Sequence, residues 1–168
     1  MLAAFIVGQS APSDFRPTGP KIKVTMSRGG SFVITTDQQG SPKTVAHILN
    51  LVNSKFYDRQ RIHRVESWVT QWGAPASKDQ DITKDVVLSG GSGKQLPFEE
   101  SKWDFHRGVV GVASTGLQVG GDSQLFILKG DALRLYRSYA VVGKVTSGMD
   151  VVDRIAKGDR ILNMRVIK

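Results

Sequence analysis

The sequence predicts a mainly β domain, a closed eight-stranded antiparallel β-barrel flanked by two α-helices. Segments of alternating apolar and polar residues recur along the chain, separated by short turns. Only two segments space their apolar residues as a helix does, and no strand–helix–strand rhythm of a parallel sheet appears. Closing the strands into a barrel would remove exposed strand edges and fill the interior with side chains. Function is therefore expected on the outer surface.

The chain of 168 residues suits one domain, and with 40% apolar and 23% charged residues it is globular. Residues 1–20 contain three prolines from position 12 onward and predict an N-terminal arm, leaving 21–168 as the domain. The apolar start at 1–7 is too short to span a membrane and lacks a basic region, so we expect a cytoplasmic protein. The alternative is a periplasmic or secreted protein, if residues 1–11 are the end of a signal peptide.

The first elements are a hairpin and a helix. Residues 22–26 and 31–36 alternate as strands on either side of a turn that contains Gly29 and Gly30. A helix is expected to start at Ser41, as the cap, and Pro42, as the first helical residue. Its apolar stripe is formed by Val45, Leu49, Val52 and Phe56.

Residues 62–66 and 68–72 predict two closely joined strands, which should place Arg64 near Gln71. Strand parity puts Ile62, Arg64 and Glu66 on one face. It puts His63 on the other face, as a hydrogen-bonded interior residue. Taken alone, an arginine in a strand is usually solvated and a tryptophan is usually core, so this segment needs support from the rest of the chain.

Later elements are three strands at 108–113, 123–128 and 140–145, a helix from 149 that stops at Gly158, and a last strand at 161–167. Residues 74–102 show little periodicity. Gly93 and Lys94 within that stretch resemble a phosphate-binding loop, but Leu88 and Gln95 stand where that motif needs glycine and serine or threonine.

Composition excludes several kinds of chemistry. There is no cysteine, no G-x-S-x-G sequence and no His-x-x-x-His pair, so we expect neither a nucleophilic hydrolase nor a metal site, and no cofactor. The net charge of +8 is spread along the chain without a basic run, which argues against a nucleic-acid partner. The polar candidates that remain are neither strong acids nor strong bases, and they suit chemistry without proton transfer: Arg64, Gln71, Ser114, Thr115, Gln124 and Tyr139.

Three ordered blocks within residues 21–168 resemble the cyclophilins, a family of peptidyl-prolyl cis-trans isomerases. The segment from His63-Arg64 through Gln71-Trp72-Gly73 is similar to the family's FHR…F-M-x-Q-G-G. Residues 111–116 with 123–127 resemble SMANAG…SQFFI, and 139–145 with 148–152 resemble HVVFGKV…GMDVV. Tyr139 stands where many eukaryotic members have histidine, which looks like the bacterial branch of the family.

The resemblance implies the fold, the activity and the partners, which would be proline-containing peptides and unfolded or folding proteins. Arg64 would be the catalytic arginine, and Gln71 would orient it and bind the substrate backbone. The resemblance implies a proline pocket lined by Trp68, Val69, Phe126 and Leu135. It implies substrate contacts from Ala113, Ser114, Thr115, Gln124 and Tyr139.

The chain departs from the family pattern at several positions. Ser114 replaces the usual asparagine, Trp72 replaces a glycine, and the turn before Trp68 is one residue shorter. Arg134 falls where the family often has a tryptophan that supports cyclosporin binding, so weak cyclosporin binding is expected. The alternative function is a cyclophilin-like module that binds proline peptides with little turnover.

Overall fold

The structure is a computed structural model that describes residues 15–168. Its strands are β1 (Lys21–Met26), β2 (Ser31–Thr36), β3 (Arg64–Val65), β4 (Val69–Trp72), β5 (Val109–Val112), β6 (Leu125–Leu128), β7 (Val141–Ser147) and β8 (Ile161–Ile167). Its helices are α1 (Pro42–Asn53), α2 (Asp85–Ser89) and α3 (Met149–Asp153), with 3₁₀ turns at Pro75–Lys78 and Leu133–Leu135. The prediction of a mainly β fold with eight strands and few helices is confirmed.

All eight strands form one antiparallel sheet in the order β3-β4-β6-β5-β7-β2-β1-β8. The prediction of a closed barrel is wrong, because β3 and β8 are the two edges of a curled, open sheet. Arg59 has a left-handed φ of 66°, and residues 60–63 between it and β3 form no regular strand. Backbone hydrogen bonds between residues 59–62 and 158–161, with a single bridge from Arg61 to Arg160, join the two edges instead.

The concave side of the sheet holds the main core, to which α1 contributes Ile48 and Val52. Trp72 is fully buried there with its ring 6.3 Å from that of Phe32, so this departure from the family pattern belongs to the core. Ile62 is also core, and strand parity therefore failed to place it on the outer face with Arg64. Ile62 lies outside the two-residue strand β3, so the alternation of a strand does not extend from Arg64 back to it.

Helix α1 starts as predicted, with Ser41 at the cap position and Pro42 as the first helical residue, but the capping contacts and the C-terminal ends differ from the prediction. The hydroxyl of Ser41 makes no capping hydrogen bond. The carboxylate of Glu99 instead accepts from the amides of Lys43, at 3.0 Å, and Thr44, at 2.7 Å. Helix α1 ends before Phe56, and α3 spans only five residues. The second predicted helix is thus much shorter than expected, and α2 was not predicted.

Residues 1–14, which hold most of the predicted arm and the segment on which the predicted compartment depends, lie outside the described residues. Both remain predictions. Phe15 is buried and stacks on Trp103 with 4.6 Å between ring centroids, so the chain is already packed on the domain there. No helix within residues 15–168 has the length and apolar character needed to cross a bilayer.

Candidate functional site

Arg64 and Gln71 are cross-strand partners in the hairpin formed by β3 and β4. The Nη1 group of Arg64 donates a hydrogen bond to Oε1 of Gln71 at 3.1 Å. The guanidinium lies on the outer side of the sheet, with 41% of the side chain exposed. The proximity of these two side chains was predicted from the sequence, because few residues join the two strands.

The tip of this hairpin supplies a carboxylate. The amide of Glu66 donates to the carbonyl of Val69 at 2.8 Å, which makes Ser67 and Trp68 a two-residue loop. Oε1 of Glu66 accepts from Nε of Arg64 at 2.7 Å, and its Oε2 accepts from Nε1 of Trp68 at 2.9 Å. The hydrogen bond and then the charge of Arg64 hold the pKa of Glu66 below its ordinary value.

Sequence reasoning did not name Glu66 as a site residue. A signal was present, because residues i and i+2 of a strand share a face, and this carboxylate stands two residues after Arg64.

Beside Arg64 lies a cavity of about 200 Å³, here called the aromatic pocket. It is lined by Arg64, Trp68, Val69, Gln71, Ala113, Ser114, Phe126, Leu135 and Tyr139. The register of β4 and β6 pairs Gln71 with Phe126, which brings the amide beside the aromatic ring. Phe126 is 5% exposed, lies edge-on to Tyr139 at 5.6 Å, and stacks on Phe105 at 6.3 Å.

Gly111 allows Phe126 to lie where it does. A Cβ atom on this glycine would approach Cζ of the Phe126 ring to 2.4 Å. The sheet itself therefore fixes the floor of the aromatic pocket, and any larger residue at position 111 of β5 would displace the Phe126 ring.

A second cavity of about 520 Å³ adjoins the first and shares Gln71, Ala113 and Ser114 with it. This glycine-lined groove runs between the chain at 88–95 and the chain at 113–124. Of the residues named from the sequence, Thr115 and Gln124 line this groove and not the aromatic pocket.

Gln124 connects the groove to the arginine. Its side-chain oxygen accepts from Nε2 of Gln71 at 2.7 Å, and its nitrogen donates to the carbonyls of Leu88, at 2.9 Å, and Gly90, at 2.8 Å. The side chain is 8% exposed. A hydrogen-bonded path therefore runs from Arg64 through the two glutamines to the wall of the groove.

A carboxylate that sequence reasoning missed holds the groove wall in place. Asp122 accepts hydrogen bonds from the Ser92 hydroxyl, from Nε2 of His47 at 3.1 Å, and from the amides of Gly93, at 2.8 Å, and Lys94, at 3.3 Å. Burial raises the pKa of Asp122, but these hydrogen bonds outweigh burial and the pKa lies below its ordinary value.

His63 is interior, as expected, and its amide donates to the carbonyl of Gln71 at 3.2 Å, but the expected hydrogen bond of the ring is missing within residues 15–168. It is 2% exposed, and neither ring nitrogen has a hydrogen-bond partner within the described residues. Burial is the main cause that lowers the pKa of His63, and the nearby side chain of Gln124 opposes the shift. The positive charges of Arg64 and Lys157 lower the pKa of His63 further.

Comparisons with known proteins show which family the chain resembles. The family model described as "Cyclophilin type peptidyl-prolyl cis-trans isomerase/CLD" matches residues 21–168. A "Probable peptidyl-prolyl cis-trans isomerase" of Brucella abortus is 39% identical over 127 residues, which cover 73% of this chain and 65% of the relative. The chain thus matches about two thirds of that relative's length. "Peptidyl-prolyl cis-trans isomerase B" of Bacillus subtilis is 33% identical, over 76% of this chain and 85% of the relative.

Solved structures of cyclophilins have a fold similar to that of this chain. A cyclophilin type peptidyl-prolyl cis-trans isomerase of Cryptosporidium parvum superimposes with a TM-score of 0.76 at 18% identity, covering 90% of this chain and 99% of the other. The arginine, the aromatic pocket and the matched residues 21–168 lead to one conclusion. The chain belongs to the cyclophilin-type peptidyl-prolyl cis-trans isomerase family.

Proposed function

We propose that this protein is a peptidyl-prolyl cis-trans isomerase, which accelerates rotation about X-Pro bonds in peptides and in folding proteins. The observation that carries the proposal is the position of Arg64. Its guanidinium is held by Gln71 at the rim of the aromatic pocket of about 200 Å³, whose floor is Phe126. A cavity of this size suits a pyrrolidine ring.

The reaction breaks no covalent bond, so it needs no nucleophile. The barrier is ~18–20 kcal/mol and comes from amide resonance. Uncatalysed X-Pro exchange takes ~10–100 s. At the top of the barrier the C–N bond is twisted, and the prolyl nitrogen has regained its lone pair.

Two features of the site favour that twisted state. An apolar pocket stabilises it relative to the planar amide, because the twisted amide is less polar. A guanidinium N–H can donate to the prolyl nitrogen only when the lone pair exists, so this hydrogen bond acts on the transition state and not on the ground state. Nη2 of Arg64 has no hydrogen-bond acceptor within residues 15–168, and it is the donor we assign to this step.

The substrate class follows from the same pocket. A solved cyclophilin of Cryptosporidium parvum, 18% identical to this chain, is described in the presence of the dipeptide Ala-Pro. We extend that ligand class to this chain, with Trp68, Val69, Phe126 and Leu135 around the proline ring. Ala113, Ser114, Thr115, Gln124 and Tyr139 would contact the flanking peptide.

A protease-coupled assay on a proline tetrapeptide tests the proposal. Arg64→Ala should lower kcat/KM by about 10²–10³-fold, the effect of losing one preorganised donor. Arg154→Ala is the matched control. It removes an arginine that forms an exposed ion pair with Asp150, and neither residue lines the aromatic pocket. Equal rates for Arg64→Ala and the parent would reject the proposal.

A module that binds proline peptides with little turnover is the second candidate. The hydroxyl of Ser114 already donates to the carbonyl of Gly116 at 2.6 Å, so it does not replace the amide donor of the family's asparagine. Binding of the tetrapeptide with no rate enhancement in the parent protein would favour this candidate.

We also propose weak cyclosporin binding. Arg134 stacks its guanidinium 4.4 Å from the Trp68 ring, in a position where the family often has an indole. Inhibition titrations of the parent and of Arg134→Trp test this, and the variant should be inhibited at lower cyclosporin concentration. Equal sensitivity would show that Arg134 does not set the affinity.

We also propose that the protein does not bind nucleic acid. A salt titration against single-stranded RNA tests this, and binding that weakens as salt is added would contradict it.

A further inference from the structure

Glu66 joins the two parts of the site that the proposed reaction needs. One oxygen binds Nε of Arg64 at 2.7 Å, and the other binds Nε1 of Trp68 at 2.9 Å. Arg64 is the cation of the site, and Trp68 is a wall of the aromatic pocket. The tight hairpin loop places all three side chains within five residues of one another. A single carboxylate thus spans the cation and the pocket wall.

The hydrogen bonds define the orientation of the guanidinium. This group is planar and carries five N–H donors in a fixed fork. Glu66 occupies Nε and Gln71 occupies Nη1, at 2.7 and 3.1 Å, so two acceptors hold two different edges of the plane. With Gln71 alone the plane could rotate about its single contact. With both acceptors, Nη2 keeps one direction.

Charge gives a second reason for the carboxylate. The guanidinium carbons of Arg64 and Arg134 lie 5.5 and 4.4 Å from the centroid of the same Trp68 ring. Two cations beside one indole repel each other, and both also act on Glu66 by their charge. Without Glu66 this repulsion would drive Arg64 away from its position at the pocket.

We propose that Glu66 is a positioning residue for isomerisation, which holds the guanidinium of Arg64 and the indole of Trp68 in one fixed relation. The inference rests on the proposed function. Glu66 itself touches no substrate in this scheme. The side chains of the Arg64–Glu66 pair are 41% and 45% exposed, and ion pairs this exposed add little to fold stability. Its removal should therefore change the reaction while leaving the fold intact.

Glu66→Ala and Glu66→Gln are compared with the parent by measuring kcat and KM separately. Glu66→Ala should lower kcat about 10-fold, with KM little changed, because small displacements of a catalytic group act on the transition state. Glu66→Gln should recover part of the loss, since its amide oxygen can still accept from Nε. Asp150→Ala is the matched control, as it removes the carboxylate of another exposed arginine pair.

A spectroscopic measurement reports the contact without reference to turnover. The Arg64 Nε–H resonance, assigned by its loss in Arg64→Lys, should exchange slowly with water in the parent and fast in Glu66→Ala. Unchanged kcat in Glu66→Ala, or a rise in KM alone, would overturn the inference while leaving the isomerase proposal in place. A parent protein without turnover would overturn the proposed function, and the positioning role would fall with it.

Discussion

The aromatic pocket and the glycine-lined groove meet at Ser114 but are built differently. The pocket takes four of its lining residues from β3, β4 and β6 and the others from connecting segments, and its floor, Phe126, is 5% exposed and packed between two rings. The groove takes its walls from loops, in which Gly120 is needed because a Cβ atom there would lie 1.5 Å from the carbonyl oxygen of Leu96. Apolar packing fixes the first cavity, and the hydrogen bonds of Asp122 fix the second.

Under the proposed function, this difference would match two tasks. A pyrrolidine ring has one shape, and a cavity held by the core can be fitted to it. The residues on either side of the proline vary, and a groove lined by backbone and glycine accepts many side chains. Substitutions should therefore separate the two cavities: those in the pocket should affect stability and rate together, and those in the groove should affect the binding of long peptides.

The largest effect is expected from Phe126→Ala. It removes a buried ring from the packed floor and should destabilise the protein by about 3–5 kcal/mol. The isomerase rate should fall as well, because the pocket loses its apolar floor. Urea unfolding and the tetrapeptide assay measure the two effects, with Phe126→Leu as the milder control. A rate loss without destabilisation would show that the floor is independent of the core.

An intermediate effect is expected from Asp122→Asn. The neutral side chain accepts fewer hydrogen bonds from Ser92, His47 and the loop amides, and partial exposure limits the loss to about 1–2 kcal/mol. The rate on a short substrate should be unchanged, while affinity for a long proline peptide should fall. Equal losses on both substrates would mean that the two cavities are not separable.

Acid should abolish the contribution of the same carboxylate. Because the folded-state pKa of Asp122 is lowered, its stabilisation is fully present above the ordinary value of about 3.9 and is lost as the pH falls through the lowered value. The difference in unfolding free energy between the parent and Asp122→Asn should therefore persist down to about pH 5 and shrink toward zero in stronger acid. A difference that persists undiminished below that range would contradict the assignment.

The smallest effect is expected from Leu88→Ser. Leu88 is 44% exposed at the edge of the groove, so the unfolding free energy should change by no more than about 0.5 kcal/mol. Only the affinity for long peptides should decrease. A clear loss of stability would indicate that Leu88 packs more firmly than its exposure suggests.

Local patterns in the sequence were sufficient for most of the fold. The strands at 31–36 and 161–167 were predicted with the bounds that the structure has, because alternation and flanking turns define them. The proximity of Arg64 and Gln71 followed from a short connection. The predicted barrel closure was wrong, because alternation predicts strands but does not show whether the two edge strands of the sheet, here β3 and β8, pair with each other.

Long-range polar contacts could not be predicted in this way. His47 and Asp122 are 75 residues apart and form no recognisable motif. Glu99 supplies the hydrogen bonds at the start of α1 from more than 50 residues away, which a local rule that assigns the cap to Ser41 cannot find. Partners of this kind depend on how loops fold back on the sheet, and single-sequence patterns carry no information about that.

The open margin between β3 and β8 has an evolutionary consequence. The arginine stands on a strand of two residues at the rim of the sheet, and the hairpin tip that follows it faces solvent. Insertions or deletions in that tip would move the cation together with Trp68, relative to a Phe126 ring that the core holds in place. Under the proposed function, lineages can adjust catalytic rate at this one bend while inheriting the remainder of the scaffold.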